Sequence, residues 1–239
     1  MENPIIVALD GKSYDESVEI ATLLRGHVWG FKVNDLLLDS GIAVIQELQE
    51  HGCVMADPKL HDIPNTIKNG GTRLVEGIAP DIITVHASGG YKMLEEAVHV
   101  LPTQIAAVTV LTSLNEEDCA EIYNSPLAVA VTRLACVAAR ARVSYIVCSA
   151  ADLALTVFQE RMAEFTGNAA LIPKICPGIR PRWWQDQQHK QDDQNPVRTM
   201  TPVEAIQAGA KYIVIGRPIL NAPDPVEAAQ RTLEEIAKG

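Results

Sequence analysis

Apolar residues in this chain come in short runs, separated by longer stretches in which they recur every three or four positions. The runs are IIVALD from Ile5, WGFKV from Trp29, CVMAD from Cys53, IITVHA from Ile82, IAAVTVL from Ile105, YIVCSA from Tyr145, AALIPKICP from Ala169 and YIVIGRP from Tyr212. Near-continuous apolar runs of this length predict strands buried on both faces. The segments between them, among them SYDESVEIATLLRG, SGIAVIQELQEHG, PLAVAVTRLACVAARA and TPVEAIQAGA, carry helical spacing. Gly26, Gly52 and Gly209 fall at helix ends, where a left-handed cap is expected.

Eight strand and helix units in alternation predict an α/β fold, a (β/α)8 TIM barrel made as a single domain over residues 1–239. The competing open, doubly wound sheet needs GxGxxG after its first strand, and ALDGKS has the wrong glycine spacing. No Pro/Gly/Ser-rich linker or low-complexity tract divides the chain. The longest irregular stretch, PGIRPRWWQDQQHKQDDQNPVRTMTP, follows the seventh strand and has the length of a lid.

Composition narrows the partners. Hydrophobic residues make up 47% and charged residues 21%, as in a globular protein. The formal net charge of -10, without any Lys/Arg-rich run, speaks against nucleic acid as a partner. A small anion stays open, because a few local cations and backbone amides outweigh a diffuse negative field. Cys53, Cys119, Cys136, Cys148 and Cys176 are scattered, odd in number and without a CxxC pair, which predicts reduced thiols. MENPIIVALD has no basic region before a long apolar segment, and no run reaches membrane-spanning length, so the expectation is a cytoplasmic protein with no membrane partner.

In such barrels the strand-to-helix loops form one face, and polar residues at carboxy-terminal strand ends meet there. The first run ends in Asp10, the second near Lys32, and the third runs into ADPKLHDIPNT with Asp57, Lys59 and Asp62. His86, the stretch from Thr109 to Ser113, Arg180, and Gly216 with Arg217 follow on later strands. Period-2 geometry places Asp57 and Lys59 on one side of an extended segment, with Lys32 on the neighbouring strand able to join them. Alternating charges hold each other ionised. A structural ion network is the competing explanation for the same residues. VIGRP offers a glycine amide and an arginine at a helix entrance, a combination that suits phosphate.

His61 and His86 raise the possibility of a metal site, but their spacing matches no metal motif, and nearby lysines oppose a cation, so packing or hydrogen bonding is the expectation and no metal is assigned. A Schiff base at Lys59 requires a neutral amine, which flanking carboxylates disfavour.

These motifs, in this order, resemble the orotidine 5'-phosphate (OMP) decarboxylase family. DPKLHDIPNT is similar to the family's D-x-K-x-x-D-I-P-x-T signature, and FKV, VTVLTS, PGIRP and IGRP keep the expected order across nearly the whole chain. The resemblance implies cofactor-free decarboxylation of OMP to UMP in pyrimidine biosynthesis. It implies a Lys-Asp-Lys-Asp array of Lys32, Asp57, Lys59 and Asp62, in which Asp57 faces the substrate carboxylate and Lys59 protonates C6. Asp10 and Lys32 are expected on the ribose, and Thr112, with Ser113 as second choice, on the pyrimidine. Arg180, Gln194, Gly216 and Arg217 are expected on the phosphate, with Gln191 or Gln188 as alternatives to Gln194. It also implies a homodimer in which Asp62 and Thr66 reach the partner's site.

The chain departs from the family pattern at Pro58, where an aliphatic residue is usual, and at Asn34, where glycine usually follows KV. The Trp183-Trp184 pair is also unusual. A related metal-dependent sugar-phosphate decarboxylase and a catalytically silent nucleotide-binding protein are the competing functions.

Overall fold

A computed structural model describes residues 3–166, 172–185 and 196–239. The strands are β1 (Ile5–Ala8), β2 (Gly30–Val33), β3 (Cys53–Leu60), β4 (Ile82–His86), β5 (Gln104–Val108), β6 (Tyr145–Val147), β7 (Lys174–Cys176) and β8 (Tyr212–Ile215). All pair in parallel and in sequence order, and β1 pairs with β8 to close the ring. This is the (β/α)8 barrel that the alternating pattern predicts.

Alternate residues of each strand serve two cores. Ile5 and Val7 face outward into the layer shared with the helices, where Ala21, Leu24, Ala228 and Ala229 are buried. Ile6, Ala8, Met55, Val108, Val147, Ile175 and Val214 face inward and fill the barrel. At the amino-terminal strand ends the Tyr212 ring packs between Trp29 and Tyr145, with ring centroids 4.7 and 5.9 Å away. That end is plugged, so access to the interior is from the opposite rim.

Helix starts are fixed by local chemistry. Ser13, Asn115, Ser149 and Thr201 each close a reciprocal capping box with an acidic residue three positions on. Gly26 and Gly209 adopt positive φ as expected, but Gly52 does not. Gly52 is small for packing instead, since a Cβ there would lie 3.2 Å from the Phe31 ring. None of the five cysteines forms a disulfide. Among the described residues no single helix is long and apolar enough to cross a membrane.

β7 and β3 depart from their apolar runs in opposite directions. β7 covers only Lys174–Cys176, and Ala169 to Leu171 lie outside the described residues. β3 is longer than its run: it continues through Asp57, Pro58 and Lys59 to Leu60, so the charged stretch belongs to the strand and not to a loop after it.

Candidate active site

A cavity of about 550 Å³ opens at the carboxy-terminal rim. Its floor is the inward layer of Ala8, Met55, Val108, Val147 and Val214, and polar groups stand around its wall. The cavity brings together Asp10, Lys32, Asp57, Lys59, Thr112, Arg180, Gly216 and Arg217 from the sequence-derived set. Residues from β1, β2, β3, β5, β7 and β8 or the loops after them therefore share one chamber.

Asp57 is the hub of the charged side. Its Oδ2 lies 2.8 Å from Lys59 Nζ and 3.2 Å from Lys32 Nζ. Lys32 Nζ also donates to Asp10 Oδ1 at 2.7 Å, so the pairs form the chain Asp10, Lys32, Asp57, Lys59. Burial is the largest single influence on Asp57 and drives its pKa upward, but Lys32, Lys59 and the Thr84 hydroxyl together outweigh it and hold the group below the usual aspartate value. Lys32 shows the converse: burial depresses its pKa most, yet Asp57 and Asp10 raise it above the ordinary lysine value. Asp57 and Lys32 stay charged despite burial because they are paired.

Asp57 and Lys59 converge by a different route from the extended geometry that the sequence suggests. Along β3 and β4, Ala56 pairs with Ile83 and Leu60 with Val85, so Asp57, Pro58 and Lys59 all stand opposite Thr84. The extra residues form a bulge, which bends the strand and re-aims side chains. Lys59 has φ of +49°, the left-handed region, which costs a residue with a Cβ about 1–2 kcal/mol. Its N–H donates to Thr84 Oγ1 at 2.9 Å, and that hydroxyl donates to Asp57 Oδ1 at 2.7 Å. A plain period-2 strand does not contain this bend, and TVH carries no visible sign that its threonine supports it.

Elsewhere on the cavity wall, Gly216 follows β8 as the cap of the short helix Arg217–Leu220, which Arg217 opens. Arg180 approaches from the β7 side, its backbone N–H donating to the Met200 carbonyl at 2.9 Å. The tryptophan pair follows it in sequence. Trp184 is buried, while Trp183 lies edge-on to it at 6.3 Å and under the Arg231 guanidinium at 4.9 Å. Together with the Arg182 N–H donating to Glu235, these contacts tie the segment after Arg180 to the carboxy-terminal helix Pro225–Lys238.

Sequence reasoning also missed Asp35, Asp152 and Arg198. Asp35 accepts from the Gly11 N–H at 2.8 Å and so links the loops after β1 and β2. Arg198, almost wholly buried, donates to Asp152 Oδ2 at 2.7 Å and to the Leu111 carbonyl at 2.6 Å. Its own carbonyl accepts from Ser149 Oγ at 2.7 Å. This clasp fixes the loops after β5 and β6 to the chain returning toward Thr201. A lone arginine in a polar stretch gives no periodic signal, although Ser149-x-x-Asp152 is a readable capping pattern.

Asp62 and Thr66 are exposed and do not line the cavity. Asp62 accepts from the Ile63 N–H at 2.7 Å, and Ile63 itself is 65% exposed. Ser113 is exposed, and Thr112 is the member of that pair at the cavity wall. Gln194, Gln191 and Gln188 lie outside the described residues. His61 and His86 pack together at 5.4 Å, and Ser88 Oγ lies 3.4 Å from His61 Nε2. Burial first, then His61 and Lys59, hold His86 below the usual histidine value. Among the described residues no group of three or more His, Cys, Asp or Glu is placed to hold a metal ion.

The profile of the orotidine 5'-phosphate decarboxylase / HUMPS family matches residues 3–232. The chain is 40% identical to an orotidine 5'-phosphate decarboxylase of Thermobifida fusca over 243 residues, covering 100% of this chain and 97% of that protein. It is 37% identical to the Geotalea daltonii protein of the same name over 246 residues, covering 98% and 96% of the two chains. The crystal structure of the Lactobacillus acidophilus orotidine 5'-phosphate decarboxylase superimposes with a TM-score of 0.76 at 30% identity, covering 98% of this chain and 99% of that one.

Proposed function

The chain belongs to the orotidine 5'-phosphate decarboxylase / HUMPS family, and from that membership and the cavity's two polar ends we propose that it decarboxylates OMP to UMP, a step of pyrimidine biosynthesis. One observation carries the mechanism: Lys59 and Asp57 stand 2.8 Å apart on the wall of a cavity that also holds Arg180 and Arg217. The substrate's phosphate goes to Arg217, the Gly216 amide and Arg180, where charge-assisted bonds and a close backbone approach serve an anion. Its pyrimidine goes toward Thr112 and its ribose toward Asp10 and Lys32.

In the reaction the bond from C6 to the carboxylate breaks, carbon dioxide leaves, and the electron pair stays on C6. The Lys59 ammonium stabilises that charge and delivers its proton to C6, after which the neutral amine regains a proton from solvent. Asp57 faces the departing carboxylate while its bonds to both lysines hold them in place. The bend at Lys59 serves to aim that proton.

The functional unit is a homodimer in this reading. Asp62 is a few residues past Lys59 yet exposed and outside the charged chain, which suits a group that completes the site of a second copy. The neighbouring exposed Ile63 supplies apolar surface for the same contact.

The test is conversion of OMP by the purified protein, followed by absorbance and by product identification, with and without EDTA. Rapid formation of UMP that EDTA leaves unchanged is expected. Absence of conversion overturns the assignment, and EDTA-sensitive activity restricted to a sugar phosphate moves the protein to the metal-dependent side of the family.

A further inference from the structure

We propose that Thr84 is a positioning residue for the decarboxylation, one that holds Lys59 and Asp57 in register through a single hydroxyl while touching no substrate itself. The inference rests on the function proposed above and extends it to a residue on β4 that does not line the cavity.

Three independent observations converge on it. The β3–β4 ladder slips between Ala56 and Leu60, leaving Thr84 alone opposite Asp57, Pro58 and Lys59. Within that slip Lys59 adopts a left-handed backbone at φ +49°, a conformation that needs support from its surroundings. The support is Thr84 Oγ1, which accepts the Lys59 N–H at 2.9 Å and donates to Asp57 Oδ1 at 2.7 Å. Thr84 is fully buried, so no water competes for either bond.

Pro58 explains why the hydroxyl is needed in this chain. Proline has no N–H to give the ladder, and it drives the preceding Asp57 toward extended backbone. The first amide after Asp57 that can be donated is therefore that of Lys59, and Thr84 receives it. One side chain thus fixes the backbone of the proton donor and the carboxylate of its partner, so losing the hydroxyl loosens both together.

Thr84→Val keeps the shape and removes the hydroxyl, and Thr84→Ser keeps the hydroxyl. In steady-state kinetics on OMP, Thr84→Val should lower kcat by about 10- to 100-fold, as for loss of a buried hydrogen bond to a charged group. Thr84→Ser should retain kcat within about 3-fold, and UMP affinity should stay within about 3-fold in both variants, because Thr84 does not line the cavity. Equal losses in Thr84→Ser and Thr84→Val, or a loss confined to KM and UMP affinity, overturn the proposal. Amide hydrogen exchange at Lys59, read by NMR in the free protein, needs no turnover. It should be at least about tenfold faster in Thr84→Val and unchanged in Thr84→Ser. Unchanged exchange in Thr84→Val overturns the holding role even if the wild-type protein proves inactive on OMP, whereas an inactive wild type alone overturns the assigned reaction. Should Thr84→Val fail to fold, Thr84→Asn, which also offers a donor and an acceptor, takes its place. Thr84→Asn must then keep Lys59 exchange slow, and fast exchange there overturns the proposal.

Discussion

Asp57 and Asp152 are both nearly sealed from water, at 5% and 2% exposure, and both pair with cations at 2.7 to 2.8 Å, yet their acidities move in opposite directions. Burial is the leading influence on each and raises the pKa of each. Asp57 answers with two lysines and a hydroxyl, and its pKa ends below the ordinary value. Asp152 has Arg198 and the Ser149 N–H, and its pKa ends above. The number of cations around a buried carboxylate decides the balance, more than the closeness of any one. The difference also separates their work. The Asp57 cluster keeps one face on the cavity, whereas the Asp152 pair is closed on all sides and joins three loops.

Arg198→Met leaves Asp152 buried without its cation and should destabilise the fold by about 3–5 kcal/mol. Denaturant unfolding at fixed protomer concentration measures this, and adding Asp152→Asn to Arg198→Met should restore at least half of the loss. A single variant as stable as the wild type would show that the clasp holds nothing.

Acid unfolding sharpens the contrast with a smaller effect. The folded Asp57 pKa lies below its unfolded value, so the stability it contributes is present above about pH 4 and lost as pH falls through the folded pKa. Asp152 has the reverse sign: its contribution is full below about pH 4 and lost as pH rises through the raised folded pKa. Relative to the wild type, Asp57→Asn should therefore become less stable as pH rises from 2 to about 4, while Asp152→Asn should become more stable as pH rises above about 4. Parallel trends in the two variants would contradict the opposed directions.

The barrel was legible because strand burial and helix amphipathicity are written in local order, and each apolar run from Ile5 to Tyr212 marks a strand that closes the ring. Residues at strand ends were legible for the same reason: once strands are ordered, their carboxy-terminal ends share a rim. The bend at Lys59 was not, because it depends on which β4 residue stands opposite, and register between strands leaves no local trace. Thr84 therefore looked like one more β-branched strand residue. Arg198 was hidden differently. Its partners are Asp152 and the Leu111 carbonyl, 46 and 87 residues away, and a single long-range contact has no period to find. Gly52 misled because a glycine at a helix end serves packing as readily as a left-handed turn.

In the proposed mechanism Lys59, paired with Asp57, supplies the proton at C6. The most direct measurement is kcat on OMP for Lys59→Ala beside the wild type, with UMP affinity and melting temperature recorded on the same samples. Lys59→Ala should stay folded and still bind UMP but lose turnover by about 10⁴-fold or more, since both the proton and the stabilising charge are removed. A Lys59→Ala protein that converts OMP at a rate near that of the wild type would contradict that mechanism.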